Sequence, residues 1–302
     1  MESYMTKQHL YKIKALSLAI GYAIAAISIS ANVNATIIEN SFVLNNDLVA
    51  NGILVGDQTI NITKDPDQDI LHTLILQSKE GNHFGVEFKK GNNNVGLNIE
   101  GNLSLQNFRH GISSEDNREM TVHGRTDITG KMERAIFVSG DEKVSIPTRV
   151  NIENGIRIHD LTLFETTEIV RIQSNSILST SELFVEGNQQ NLVEKPIIVR
   201  VVDEGMLNLL ASSSDKDYNS HTLKIENFKV SMEGRYKGST MLLLEQGSVK
   251  ADNIKILETN TENLFNEAES NGMNASQADI TTNNITINKN TVTNGRLIGL
   301  YI

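Results

Sequence analysis

Apolar and polar residues alternate along most of the chain, in short triplets separated by Gly, Asn, Asp or Ser. From about residue 59 onward the alternation has a period of two, which indicates strands with one buried face. No window of a dozen residues keeps a helical apolar stripe, except weakly from Thr261 to Ala275. The pattern therefore predicts an all-β chain. Representative triplets are Ile60-Asn61-Ile62, Leu97-Asn98-Ile99, Leu103-Ser104-Leu105, Val150-Asn151-Ile152 and Ile285-Thr286-Ile287.

These triplets recur at a spacing typical of a solenoid. When one segment is laid over the next, Gly101 falls over Gly124 and Ile112 over Ile136, an offset of 23 to 24 residues. The unit from Val144 to Ile158 follows at a similar offset. Recurrence every 20 to 25 residues, with very short strands in each unit, predicts a right-handed parallel β-helix with irregular coils. At about 22 residues per coil we expect about 12 coils.

The alternative fold is a β-sandwich, which would have longer strands and usually a larger aromatic core. The chain has only 9 Phe and 6 Tyr, with no Trp. It is rich in asparagine, with 34 in 302 residues. Asparagine tolerates left-handed turns, and stacked amides can form hydrogen bonds from coil to coil. Composition therefore favours the solenoid.

The first 35 residues read as a cleaved signal peptide. Three lysines lie within residues 7–14, and residues 15–30 carry no charge. Small residues follow at Val33 and Ala35, which predicts cleavage between Ala35 and Thr36. The alternative is a membrane anchor, but the apolar run is shorter than the roughly 20 residues that span a bilayer. Cleavage would change the formal charge from −10 to −12, because three Lys and one Glu are removed.

The expected domain plan has three parts. Residues 1–35 form the signal peptide, 36–56 an N-terminal cap and 57–302 the β-solenoid, which ends inside what reads as another coil. Two polar stretches, Ala211–Ser220 and Thr261–Ala278, interrupt the alternation. We expect them to be loops extruded from the solenoid, the second with a short helix as its alternative structure.

Composition excludes several chemistries. The chain contains no cysteine, which rules out disulfides, thiolate zinc sites, iron–sulfur clusters and cysteine nucleophiles. The acidic balance makes nucleic acid an unexpected partner, because phosphate neutralisation needs a basic face. An exported protein without disulfides must therefore be stabilised by its stacked core.

An export signal, absent cysteine, abundant Asn, Gly, Ser and Thr, and irregular β-helical coils together resemble the passenger region of a Gram-negative autotransporter or related surface adhesin. The resemblance implies transit through an outer-membrane barrel, encoded downstream or in a longer chain. It also implies a place at the cell surface, in the outer membrane or outside the cell, and a role in virulence through adhesion or autoaggregation. The expected partners are host or neighbouring-cell surface molecules, protein or glycan. We expect a monomer without a cofactor and without enzymatic activity.

No nucleophile elbow, phosphate loop, zinc-protease motif or dinucleotide fingerprint is present. The one local acidic cluster is formed by Asp65, Asp67 and Asp69, and alternating carboxylates of this kind can gather around Ca²⁺. However, an EF-hand needs Gly where the chain has Ile70, and a bidentate Glu where it has Leu76. A solvated acidic turn is therefore the preferred interpretation, and no catalytic residue is assigned.

Two other functions remain open. One is a β-helical polysaccharide lyase or hydrolase, which needs carboxylates and a basic residue in one groove. The candidates are Asp127, Glu153 and Asp160, with Arg125 and Arg157, although the scarcity of aromatic residues disfavours sugar binding. The other is a periplasmic or secreted protein without an adhesive role. Six scattered histidines are interpreted as solvated or turn residues: His72, His83, His110, His123, His159 and His221.

Overall fold

A computed structural model describes residues 37–78, 84–89, 95–116, 118–163, 168–192, 196–211, 220–232, 238–263, 268–293 and 295–301. These residues belong to one compact unit, Ile37–Ile302. Every regular element in these ranges is a β-strand. The predicted signal peptide and its cleavage site at Ala35 and Thr36 lie outside the described residues.

The strands form three sheets, here called A, B and C, and every strand pair is parallel. Sheet A contains β1 (Ile37–Ile38), β4 (Gly52–Val55), β7 (Phe84–Phe88), β10 (His110–Ser114), β13 (Arg134–Ser139), β16 (Glu168–Gln173), β19 (Ile197–Val202), β23 (Gly238–Glu245), β27 (Ala268–Ser276) and β31 (Gly295–Tyr301). Sheet B contains β2 (Phe42–Leu44), β5 (Ile60–Lys64), β8 (Gly96–Ile99), β11 (Glu119–Val122), β14 (Thr148–Ile152), β17 (Ser176–Thr180), β20 (Met206–Asn208), β24 (Ser248–Lys250) and β28 (Asp279–Thr281).

Sheet C contains β3 (Leu48–Ala50), β6 (Thr73–Gln77), β9 (Asn102–Gln106), β12 (Thr126–Met132), β15 (Ile156–Leu163), β18 (Glu182–Leu192), β21 (Thr222–Glu226), β25 (Asn253–Leu257) and β29 (Asn284–Asn288), with the side strands β22 (Lys229–Met232), β26 (Asn260–Asn263) and β30 (Thr291–Thr293). The chain visits A, B and C in turn, and each new strand pairs with its equivalent in the preceding coil. This topology is a parallel β-solenoid. The predicted all-β parallel β-helix is therefore confirmed, while its right-handed sense stays a prediction.

The predicted register is confirmed where the sequence repeat is clearest. Ile112 pairs with Ile136 in sheet A, and the amide of Gly124 donates to the carbonyl of Gly101 at 3.0 Å. The column continues through Val170 of the next coil, and its members are fully buried. A buried aliphatic side chain contributes roughly 1.5 to 3 kcal/mol. Stacked columns of this kind form the core and replace covalent cross-links.

The coils are longer and fewer than predicted. Three sheets that each contribute one strand per coil give nine coils, followed by β31, within the described residues. The offset between paired residues is 24 for Ile112 and Ile136 but 37 for Ile60 and Leu97 and 43 for Val199 and Leu242. It varies because the segments between paired strands differ in length from coil to coil, while the strands keep their register. A single repeat length, taken from the most regular coils, therefore overestimates their number.

Asparagines at the corners connect successive coils. The Asn284 side-chain amide donates to Asn253 Oδ1 at 3.2 Å, as the expected coil-to-coil amide stacking requires. Asn107 has a left-handed φ of 60°, and its Oδ1 accepts from the Lys131 amide at 3.1 Å. Gly130 has φ +88°, and a Cβ there would lie 2.2 Å from Asn107 Oδ1. This corner consequently requires glycine opposite asparagine.

The prediction of an extruded loop or short helix at Thr261–Ala278 is wrong. The described part of this stretch lies mainly in β26 and β27, and β27 pairs with β23 on one side and β31 on the other. Small and polar residues can face inward here because buried hydroxyls satisfy one another. Ser239 Oγ lies 2.8 Å from Thr261 Oγ1 and donates to Ser270 Oγ at 3.0 Å. Because these inward-facing residues are polar, the sequence of this stretch lacks the alternation of apolar and polar residues that predicts a strand.

The other predicted features have simpler outcomes. Within the predicted N-terminal cap of residues 36–56, residues 37–50 form the first coil, and its strand β1 pairs with β4 of the second coil. Most of the predicted loop Ala211–Ser220 lies outside the described residues, and its two end residues are not in strands.

The stacked columns predict a large cost for removing one member. Replacing the fully buried Ile136 in Ile136→Ala should lower the free energy of unfolding by about 3 kcal/mol, because the cavity lies between two coils. Urea unfolding followed by circular dichroism measures this loss. In the control Ile70→Ala, the replaced side chain is 65% exposed, and the change should be below about 0.5 kcal/mol. Equal losses in both variants would contradict the stacked-core account.

Candidate functional site

Four of the five residues named from the sequence as enzyme candidates lie on or beside the outer face of sheet C. Asp127 of β12 pairs in register with Arg157 of β15, and Arg157 pairs with Phe184 of β18. Side chains alternate between the two faces along a strand, and residues paired in register in neighbouring parallel strands point to the same face. Asp127, Arg157 and Phe184 therefore lie together on the outward face. We call the group formed by Arg125, Asp127, Arg157, His159, Asp160 and Glu186 the sheet C cluster.

A β-bulge places two members of the cluster beside each other. The register of β15 with β18 shifts between Ile158 and Leu161, and Asp160 has a left-handed φ of 50°. The extra residue of a bulge redirects side chains locally. Here His159 and Asp160 meet, with Nδ1 of the imidazole 2.7 Å from Oδ2 of the carboxylate.

The imidazole also connects to the preceding coil. Nε2 of His159 lies 4.0 Å from Oδ1 of Asp127, whose other oxygen accepts a 3.0 Å hydrogen bond from Nε of Arg125. His159 is thus flanked by a carboxylate on each side. The Asp160 side chain is 81% exposed, so the cluster is an open surface and water reaches its carboxylates.

Three members have the ligand types of a divalent cation site. One ligand atom from each of His159, Asp160 and Glu186 can be chosen so that all lie within 4.8 Å of one another. Imidazole and carboxylate are common ligands of zinc and other transition metals. Arg157 Nη2 lies 4.0 Å from Glu186 Oε1 and competes with a cation for that carboxylate.

The predicted calcium residues have a different arrangement. Asp65 uses its carboxylate within its own turn, where Oδ1 accepts from the Asp67 amide at 3.0 Å and Oδ2 accepts from the Gln68 side chain at 3.2 Å. Asp67 and Asp69 are exposed. These contacts are those of an acidic turn, the preferred interpretation from sequence, and calcium binding there stays a prediction.

Glu153 does not join the other enzyme candidates. It follows β14 at the corner between sheets B and C, and its Oε1 lies 3.1 Å from Nδ1 of His123. Its spacing correctly predicts the coil that follows Asp127, but its ion-pair contact lies at this corner, outside the sheet C cluster. The sequence predicts His159 only as a solvated or turn residue and offers no signal for Phe184 or Glu186. Phe184 pairs in register with Arg157, whereas Glu186 lies opposite the bulge, where the register shifts between Ile158 and Leu161.

Five of the six histidines named from the sequence are described, and His83 falls outside the described residues. Each of the five has a carboxylate oxygen within 4.0 Å and keeps part of its side chain accessible. The pairs are His72 with Asp47, His110 with Glu133, His123 with Glu153, His159 with Asp160 and His221 with Asp252.

The aromatic residue nearest the sheet C cluster is covered by cations. The guanidinium carbon of Arg157 lies 5.4 Å from the Phe184 ring centroid, and Nζ of Lys224 lies 5.3 Å from it. Cations at this distance are attracted to the ring face. Phe184 therefore offers less open ring surface than a sugar-stacking platform needs.

A second charged group lies on sheet A. The Glu168 side chain is 4% exposed and accepts hydrogen bonds from Arg171 at 2.9 Å, Arg200 at 2.6 Å and Arg134 at 3.3 Å. Burial alone would raise the pKa of Glu168. The hydrogen bond from Arg200 and the charges of the three arginines outweigh burial and hold this pKa below its ordinary value of 4.5. The group connects three coils and has a structural role.

Comparison of the chain with protein-family models, curated proteins and solved structures finds no match. No helix among the described residues has the length and apolar character needed to cross a bilayer. The fold therefore rests on the strand pairing itself.

The Glu168 group predicts a specific pH dependence. Because the pKa of Glu168 is lower in the folded protein, the unfolded chain binds the proton first as pH falls. The contribution of Glu168 is thus complete above its ordinary value of 4.5 and is lost as pH drops through the lower folded value. Glu168→Gln should cost about 3 kcal/mol at neutral pH, because it leaves three arginines without their carboxylate.

Urea unfolding of both proteins between about pH 3 and about pH 7 measures this difference. The stability curve of Glu168→Gln should be flatter than that of the wild type at the acidic end. The control Glu39→Gln, which replaces an exposed carboxylate, should keep the wild-type curve. Parallel acid curves for wild type and Glu168→Gln would contradict the role given to this group.

Proposed function

We propose that the protein is an exported structural and adhesive solenoid of the autotransporter-passenger type, placed at the cell surface or secreted. Its partners would be protein or glycan molecules on host or neighbouring cells. The coils would supply a stack of side faces, and the corners and loops between strands would supply the variable contacts. Export by the signal peptide of residues 1–35 is part of this proposal.

The observation that carries the proposal is the parallel stack of three sheets through successive coils. Each coil adds a strand to all three sheets and extends the same buried columns. A parallel β-solenoid is consistent with a β-helical passenger. A repetitive stack presents long faces, which suit contact with large surface molecules.

The core chemistry also supports passage across membranes in an unfolded state. The chain has no cysteine, and the largest buried side chains are mostly aliphatic. Nothing covalent would have to be broken before passage or re-formed after it. Folding could proceed by adding one coil to the preceding one, since each strand pairs with its equivalent in the adjacent coil.

Surface display tests the proposal directly. The full chain, fused to a heterologous autotransporter barrel and an epitope tag, is produced in a bacterium that neither aggregates nor adheres. We expect settling of the culture or attachment to host epithelial cells. The barrel with the tag alone is the first control. Ile136→Asp, which introduces a carboxylate into a buried column, is the folding control.

Display levels are matched by antibody staining of the tag. Aggregation or attachment by the wild type, reduced to the barrel-only level by Ile136→Asp, supports an adhesive role that requires the folded solenoid. Equal display without aggregation or attachment on any cell type examined would contradict it and favour a secreted or periplasmic protein without an adhesive role.

The sheet C cluster supports a second candidate function, a carbohydrate-active enzyme. Asp127, His159, Asp160 and Glu186 place acid and base groups together on one face, as polysaccharide cleavage requires. The open surface and the cation-covered Phe184 disfavour this function relative to adhesion.

Purified protein incubated with anionic polysaccharides separates the two functions. The adhesive proposal predicts no turnover, measured as new reducing ends and as ultraviolet absorbance of unsaturated products. Turnover that is lost in Asp127→Ala but kept in Glu153→Ala, whose carboxylate lies at a different corner, would replace the adhesive proposal with the enzymatic one.

A further inference from the structure

A cavity of about 570 Å³ lies on the outer side of sheet B, near the beginnings of β8, β11 and β14. One part of its lining is formed by Gly96 and Asn98 of β8 and by Thr121 of β11. A second part is apolar and comes from Val144 and the segment Ile146–Pro147 before β14. The cavity thus combines a polar sheet surface with an apolar wall.

Gly96 lets two paired strands approach closely beside this cavity. A Cβ at Gly96 would lie 3.0 Å from the carbonyl oxygen of Glu119 in the adjacent coil, so a side chain there would crowd the neighbouring strand. The Gly96 amide donates to Thr59 Oγ1 at 3.1 Å, which fixes the start of β8. The cavity surface is therefore held by contacts between coils.

Arg118 also lines the cavity and is the largest fully buried side chain among the described residues. It is only 1% exposed. Its Nη2 donates to the Lys89 carbonyl at 2.9 Å, while Nε and Nη1 have no hydrogen-bond partner within the described part of the chain. A buried guanidinium with two unpaired N–H groups is unfavourable, because the charge and the donors have both lost water.

The charges around Arg118 do not remove this deficit. Burial lowers the pKa of Arg118, and the nearby charge of Asp116 only partly offsets that effect. The other charged side chains that line the cavity are Arg149 and Glu119. Two cations and one anion give the lining a positive balance in a chain whose formal charge is −10.

We infer that this cavity is an anion-binding site, in which Arg118 and Arg149 hold the carboxylate, sulfate or phosphate group of a small ligand. A planar guanidinium can donate two parallel hydrogen bonds to such a group. Nε and Nη1 are buried in the protein without ligand, so the Arg118 side chain would turn toward the cavity to bring these donors to the oxyanion. The carbon skeleton of the ligand would lie against Ile146 and Pro147. This site is independent of the adhesive role.

Isothermal titration calorimetry of the full chain with sodium sulfate, sodium phosphate and sodium glucuronate tests the inference. Ionic strength is held constant with sodium chloride. We expect saturable binding of at least one of the three anions, and the tightest of them identifies the anionic group. Arg118→Met should weaken that binding by at least about tenfold, because it removes the buried charge and both free donors.

A second variant guards against misfolding. Arg149→Gln changes an exposed side chain, and it should weaken the same anion several-fold without changing the circular dichroism spectrum. Arg157→Gln, on the outer face of sheet C, is the matched control and should bind as the wild type does. In buffer without the anion, Arg118→Met should be at least as stable as the wild type, whereas a purely structural arginine would make it less stable.

Two results would overturn the inference. One is no saturable binding of any of the three anions by the wild type. The other is equal binding by the wild type and both cavity variants, which would indicate a general salt effect.

Discussion

The pairing of each strand with its equivalent in the next coil is the interaction on which the rest of this structure depends. It gives every inward aliphatic residue a buried neighbour above and below, as in the column through Ile112, Ile136 and Val170. It also aligns the corners, so that Asn253 and Asn284 form side-chain hydrogen bonds along the stack. Stability without cysteine follows from this repetition, since no coil could bury its inner face alone.

The same pairing explains which parts of the fold could be predicted. Period-two triplets and the 23- to 24-residue offset are local patterns, and they predicted the solenoid and the register of Ile112 with Ile136. They failed at Thr261–Ala278 because Ser239, Thr261 and Ser270 pair their hydroxyls inside the core. Polar residues that form hydrogen bonds with each other across coils resemble a loop in the sequence. Their hydrogen-bond partners are about one coil away along the chain, so no local pattern reveals them.

The charged groups show the same limit more strongly. Asp127, Arg157 and Asp160 could be selected because their coils have regular spacing, but His159 and Glu186 join them only through a bulge. Glu168 and its arginines come from coils of unequal length. The burial of Arg118 depends on the turns around it, and alternation alone gave no signal for it. The position of a residue along its own strand could be predicted from the sequence. Which side chains from different coils meet depends on the lengths of the turns, and these could not be predicted.

Register between coils can be measured directly because the chain has no cysteine of its own. Asn98 and Thr121 are direct partners in sheet B, while Asn61 lies one strand further along the stack. The account predicts that a short thiol cross-linker joins Asn98→Cys to Thr121→Cys rapidly in the native protein. It predicts little joining of Asn61→Cys to Thr121→Cys, at about twice the strand spacing of ~4.8 Å. Absence of the first cross-link, or equal yields for both pairs, would contradict the stacked-coil architecture.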